Sequence, residues 1–225
     1  MSSELPADAA AAWLHDRMAE QLRARRDLFL GDYSVADRPA LVLQAIPLEA
    51  AEPVDVRAPA LAKAMRREGL NPQFAWWRQF ASSGGAKAVF DGVAINATGS
   101  SDGWATELHT DGHLIAGVWE FPDTGSGGVA VAEFYDHVFA DFAALAVSVY
   151  QVASVSGRLA ATCTLLQATK LPLLGKRGQQ QVAPAPKRDK LEWPMVQVAS
   201  VNGLEAAFAE MKTRFHRAYG FFTFD

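Results

Sequence analysis

The stretch Ala88–Phe121 reads AVFDGVAINATGSSDGWATELHTDGHLIAGVWEF, and its punctuation decides the fold. Three apolar runs, AVFDGVAINA, WATELHT and HLIAGVWEF, are separated by Thr98–Gly103 and by the dipeptide Asp111-Gly112. Asp-Gly suits a two-residue hairpin turn, because both central positions need positive φ. In the middle run Trp104, Thr106 and Leu108 alternate with Ala105, Glu107 and His109. A period of two marks a strand whose side chains point to two unlike faces. The stretch is therefore expected to form a three-stranded antiparallel meander.

Upstream, Ala40–Pro47 (ALVLQAIP) is short, apolar and rich in branched side chains, which suits a buried strand. Before it, Asp8 can cap a helix in which Leu14, Met18 and Leu22 form an apolar stripe. Arg17, Arg23, Arg25 and Arg26 are expected towards its far end, where cations suit the helix dipole. Pro59 fits the first turn of a short helix over Ala60–Glu68, stopped by Gly69.

Downstream, Ala130–Ala153 predicts the longest helix. Phe134, Val138, Phe142, Leu145 and Val149 line one face, thickened by Tyr135, Phe139, Ala143 and Ala146. Leu159–Ala168 and Met195–Ser200 read as strands. Asn202 and Glu205 have the spacing of a capping box for a last helix, about Gly203–Tyr219. Its inward face is Leu204, Phe208, Met211 and Phe215, and Gly220 stops it. Together the elements predict a single α+β domain over residues 1–225. Its sheet is mostly antiparallel, built round the central meander, with helices on one face. A mobile basic loop is expected at about 170–192.

Composition narrows the setting. The 225 residues are half hydrophobic, with a formal net charge of −4. That supplies no global field towards nucleic acid or an anionic membrane. One cysteine, Cys163, builds no internal disulfide, which suits a reducing compartment. No secretory signal is read at the N-terminus. The longest apolar segment, Phe134–Val155, is interrupted by Asp136 and Asp141, short of the about 20 apolar residues a membrane helix needs. The expectation is a soluble, bacterial-type cytoplasmic protein with no cofactor.

Three groups of residues could carry function. Phe74, Trp76, Trp77 and Arg78 place a large aromatic surface in an irregular segment, the composition of a ligand or protein contact. Lys170, Lys176, Arg177, Lys187, Arg188 and Lys190 give residues 170–192 six basic side chains against two acidic ones. That segment is thus +4 and the remainder −8, which invites phosphate contacts with nucleic acid. His109, Asp111 and His113 are respectable ligands for zinc or iron, which would make the chain a metal-dependent hydrolase. Against that, Asp111 is also the first residue of the expected turn, with His109 and His113 flanking it at a solvated edge. There is no G-x-S-x-G elbow, phosphate loop or dinucleotide glycine fingerprint.

Three of these stretches together carry a family likeness. ALVLQAIPLEA resembles a strand of the form LVLHLVPL, Phe90–Ile95 a segment ending DGLL, and Gly112–Val118 a strand GxIEAV. These occur in the region C-terminal to the AlbA-like, Schlafen-type DNA-binding domain of bacterial proteins labelled ATP-binding or transcriptional regulators. The likeness covers roughly Trp13–Ala168. The residues at hand are expected to begin after the AlbA-like domain, so no nuclease residue carries over. What the resemblance implies is an accessory module in bacterial regulation or defence. The leading expectation is accordingly a non-enzymatic binding module that uses a protein partner, self-association or a small ligand.

Overall fold

The structure is a computed structural model and describes residues 7–49, 52–67, 80, 85–96, 103–119, 130–175 and 182–221. The chain falls into two compact units, Met1–Ala36 and Asp37–Asp225.

The first unit is one helix, α1 (Ala7–Asp32). It runs well past the arginines, and no basic residue lies in its last turn. The expected pairing of those cations with the helix dipole therefore does not occur. Ser34, at φ 55°, ends the helix. The Val35 N–H donates to the Leu30 carbonyl and the Ser34 N–H to the Gly31 carbonyl. This is the Schellman arrangement, with serine in the left-handed position that glycine usually takes.

The second unit is the α+β body. Strand β1 (Ala40–Pro47) has the expected bounds. Helix α2 (Pro59–Met65) starts at its proline, then stops at Arg67, which takes φ 56°. The meander contains one strand more than expected: β2 (Lys87–Val89), β3 (Gly92–Asn96), β4 (Trp104–His109) and β5 (Leu114–Val118). The run AVFDGVAINA is thus a hairpin in its own right. Val89 pairs with Gly92, and Phe90 and Asp91 turn the chain, with Asp91 at φ 53°. The second Asp-Gly pair does not make a two-residue turn. The Gly112 N–H donates to the His109 carbonyl, and the His109 N–H donates to the His113 carbonyl. Gly112 alone has positive φ, which makes a three-residue loop ending in a left-handed glycine. A Cβ at Gly112 would stand 2.8 Å from the Pro47 ring, a second reason for glycine there.

After the two-residue β6 (Ala130–Val131) come α3 (Ala132–Val152) and β7 (Leu159–Leu166). Then follow the short strands β8 (Leu173–Leu174), β9 (Val182–Ala183), β10 (Leu191–Glu192) and β11 (Val196–Val198). Helix α4 (Leu204–Ala218) closes the body. The main sheet has the order β10-β7-β1-β5-β4-β3-β2, with β11 also on β7, and every pairing in it is antiparallel. A small sheet joins β6 to β8 in parallel and β8 to β9 antiparallel. Residues 170–192 therefore carry three strands where the sequence suggests a mobile loop, because Leu171, Leu173 and Ala183 bury their side chains. The capping box does not form either. A 3-10 turn, Val201–Gly203, precedes α4, and no side chain caps the helix. Gly220, at φ 76°, stops α4 as expected.

Helices α2, α3 and α4 lie on one face of the sheet. Leu41, Leu43, Leu108, Leu114, Ala116, Ala161, Cys163 and Leu165 meet the apolar stripes of α3 and α4 there. All nine stripe residues expected on α3, and all four on α4, are buried. The Tyr150 hydroxyl donates to the Ala45 carbonyl at 2.7 Å, fixing α3 to β1.

Burial in this core sets a pH response. Cys163, Tyr135, Tyr150 and Tyr219 all have pKa values raised, in each case first by desolvation of the charged form. The unfolded chain then gives up these protons before the folded one. Their contribution to stability is complete below the ordinary values of 9.0 for the thiol and 10.0 for the phenols, and it is lost as pH rises beyond them. The urea midpoint should hold steady between about pH 7 and 8 and fall above about pH 9. A midpoint that rises through that alkaline range would contradict the assignment.

Candidate functional site

Gln44, Glu107, His109 and His113 gather on the face of the sheet opposite the helices. Glu107 and His109 are two apart on β4, so they share a face. The register sets Gln44 of β1 opposite Ile115 and Ala94 of β3 opposite Glu107. Two rows of side chains result, and the polar members, Gln44, Glu107, His109 and His113, are all at most 5 % exposed. The expectation of a solvated edge for the two histidines is corrected here. They follow the parity of a sheet that is buried on both faces.

His109 is the centre of the group. Its Nδ1 lies 2.7 Å from Asp91 Oδ1, and its Nε2 lies 3.2 Å from Glu107 Oε2. Both ring nitrogens are thus engaged by carboxyl groups of the sheet's own turns and strands. His113 differs. Its Nε2 accepts from the Gln44 amide nitrogen at 3.2 Å, the pattern of a neutral imidazole. The His109 and His113 rings are 6.0 Å apart. Asp111 points elsewhere, accepting the His113 backbone N–H at 2.9 Å as a turn residue. The three residues proposed as metal ligands thus neighbour one another in sequence without converging. Among the described residues no three His, Cys, Asp or Glu side chains form a metal-holding group.

The network has an outward consequence. Asp91 sits at the tip of the β2–β3 hairpin, and its carbonyl also accepts the Thr110 N–H at 2.9 Å. The two turns at this end of the sheet are tied together. A Cβ on Gly92 would stand 2.5 Å from the Leu108 carbonyl and 3.1 Å from His109 Nδ1. Only glycine lets the tip come this close to β4. Next to this clamped pair, Phe90 is 90 % exposed. The sequence carries the signal: a phenylalanine immediately before Asp-Gly is an apolar residue inside a turn. It is missed when the run is taken as one continuous strand.

The other candidates divide. Phe74, Trp76, Trp77 and Arg78 lie outside the described residues, as do Lys176 and Arg177. Lys170 donates to the Asp37 carbonyl at 3.4 Å, and Lys190 pairs with Glu192 at 3.2 Å. Lys187 and Arg188 are exposed. A groove of about 250 Å³ runs between α3 and α4, with Phe139, Phe208, Ala143 and Ala209 along it and Asp136, Glu205 and Lys212 at its rim. At one end His216 Nε2 lies 2.6 Å from Asp136 Oδ1. Among the described residues no helix is long and apolar enough to cross a membrane. No protein-family model, curated protein or solved structure matches this chain.

Proposed function

We propose that the chain is a non-enzymatic binding module that acts through a protein partner. The observation that supports this is the clamped tip. Phe90 projects from a turn whose other residue, Asp91, is bonded to a buried histidine. A turn whose backbone is already fixed loses little freedom on docking, and exposed aromatic side chains are common anchors of protein interfaces. The doubly engaged His109 fits a structural duty better than a catalytic one. The resemblance to the accessory region of AlbA-bearing regulators points the same way, towards bacterial regulation or defence.

Co-purification from the source cells tests the reading. The full chain should retain a protein partner at fixed stoichiometry. Phe90→Ser should reduce the recovered partner at least about tenfold, with the thermal transition unchanged. Equal recovery with Phe90→Ser would overturn the proposal.

A further inference from the structure

We infer that the basic bend at Lys187–Lys190 is a docking surface for the phosphate backbone of duplex nucleic acid. Residues 170–192 carry +4 against −8 for the remainder, so any attraction for a polyanion is local. The structure makes this segment a fixed surface. The Ala168 N–H donates to the Asp189 carbonyl at 2.8 Å, and the Thr169 hydroxyl donates to the Asp189 carboxylate at 2.7 Å. Just beyond, Leu191 and Glu192 pair with β7. The bend is thereby joined to the 3-10 turn Ala168–Lys170. Lys170 thus shares one region of surface with Lys187, Arg188 and Lys190, and all four side chains are exposed.

The acids of this region do not cancel it. Asp189 is held by Thr169, and Glu192 lies 3.2 Å from Lys190. Lys170 Nζ meets only the Asp37 carbonyl, at 3.4 Å, and Asp37 and the adjacent Arg38 offset each other in charge. Among the described residues neither Lys187 nor Arg188 has a carboxylate partner. Four cations against Asp189 and Glu192 leave a surplus of two positive charges on a chain that is −4 overall. A duplex suits such a surface. Single strands are gripped by stacking their bases on exposed aromatic rings, and Trp193, beside the bend, is buried. Duplex DNA instead presents one charge per about 1.7 Å, which cations meet without reading bases. An anionic membrane wants an apolar side chain to insert, and here Leu171 is buried and Leu191 half-buried. With Lys190 shared with Glu192, the phosphate contacts fall to Lys170, Lys187 and Arg188.

Fluorescence anisotropy of a labelled DNA duplex of about 20 base pairs, titrated with the full chain from about 20 to about 200 mM salt, is the test. Three contacts at about 0.9 each predict a slope of about −2.7 for log affinity against log salt, a loss of about 40-fold between about 50 and about 200 mM. The double variant Lys187→Gln, Arg188→Gln should bind at least about tenfold more weakly at about 50 mM salt, with a slope near about −0.9. Its thermal transition should not move, because both side chains are exposed. Lys87→Gln, on the far strand β2, should bind like the wild type. No binding at about 20 mM salt, a slope near zero, or a double variant that binds like the wild type overturns the inference. So does a Lys87→Gln chain that loses as much as the double variant, because the charge then acts from no particular place. Capture by vesicles containing about 30 % phosphatidylserine, with no binding of the duplex, also overturns it and reassigns the surface to membranes. None of these results bears on Phe90, whose test is co-purification.

Discussion

Replacing His109 by leucine is expected to cost about 3–5 kcal/mol of folding free energy, the range for removing one partner from a buried ion pair. The His109 ring bridges Asp91 at 2.7 Å and Glu107 at 3.2 Å, and the Glu107 side chain is 5 % exposed. Without the ring, the Glu107 carboxylate keeps its desolvation cost and loses a hydrogen-bond partner that offsets it. Asp91 is 30 % exposed, so Asp91→Asn should cost less, about 0.5–1.5 kcal/mol. Urea unfolding of the two variants, and of Glu107→Gln alone and with His109→Leu, gives the coupling directly. The double variant should be more stable than the sum of the single losses implies, because Glu107→Gln removes the buried charge that His109→Leu leaves behind. Strict additivity would show that the 3.2 Å contact contributes nothing. A second readout follows from position: His109→Leu should also loosen the Phe90 tip, seen as faster amide exchange at Thr110, whose N–H is bonded to Asp91.

The same residues show what a sequence can and cannot disclose. Alternation along Trp104–His109 was enough to find a strand, and the 3.6-residue stripes on α3 and α4 named thirteen core positions that are all buried. These signals are local, since each is a period within one element. What escapes such a reading is not local. Asp91-Gly92 reads as strand because the apolar residues on either side of it outweigh the turn signal. Hairpin ends are usually solvated, yet His109 and His113 are buried. Their burial depends on what covers the second face of the sheet, which no single element's pattern reveals. Gln44 held a clue, being the one polar residue inside ALVLQAIP. A polar side chain in the middle of a buried strand needs a partner, and here that partner is His113, 69 residues away. The Asn202–Glu205 capping box failed for the opposite reason: the spacing was right, but a 3-10 turn occupies the position where the cap would form.

Phe215→Ala is the second substitution expected to be severe, at about 3–5 kcal/mol. Phe215 is fully buried on the inner face of α4, and its ring lies among those of Tyr135 at 4.7 Å, Tyr219 at 5.2 Å, Phe139 at 5.8 Å and Trp193 at 6.2 Å. It thus joins α3, α4 and the segment between β10 and β11. No side chain caps α4, so the helix depends on this packing more than on its own termini. Truncation opens a cavity walled by aromatic rings, which are too rigid to collapse into it. Phe215→Leu keeps most of the volume and should cost about half as much. The difference between the two variants isolates the cavity, because both lose the same aromatic contacts. Urea unfolding with tryptophan fluorescence reports on it directly, since Trp193 is one of the neighbours. Equal losses for alanine and leucine would mean that ring contacts, not filled volume, hold α4 against the core. A loss below about 1 kcal/mol for alanine would mean that the helix docks independently of this cluster.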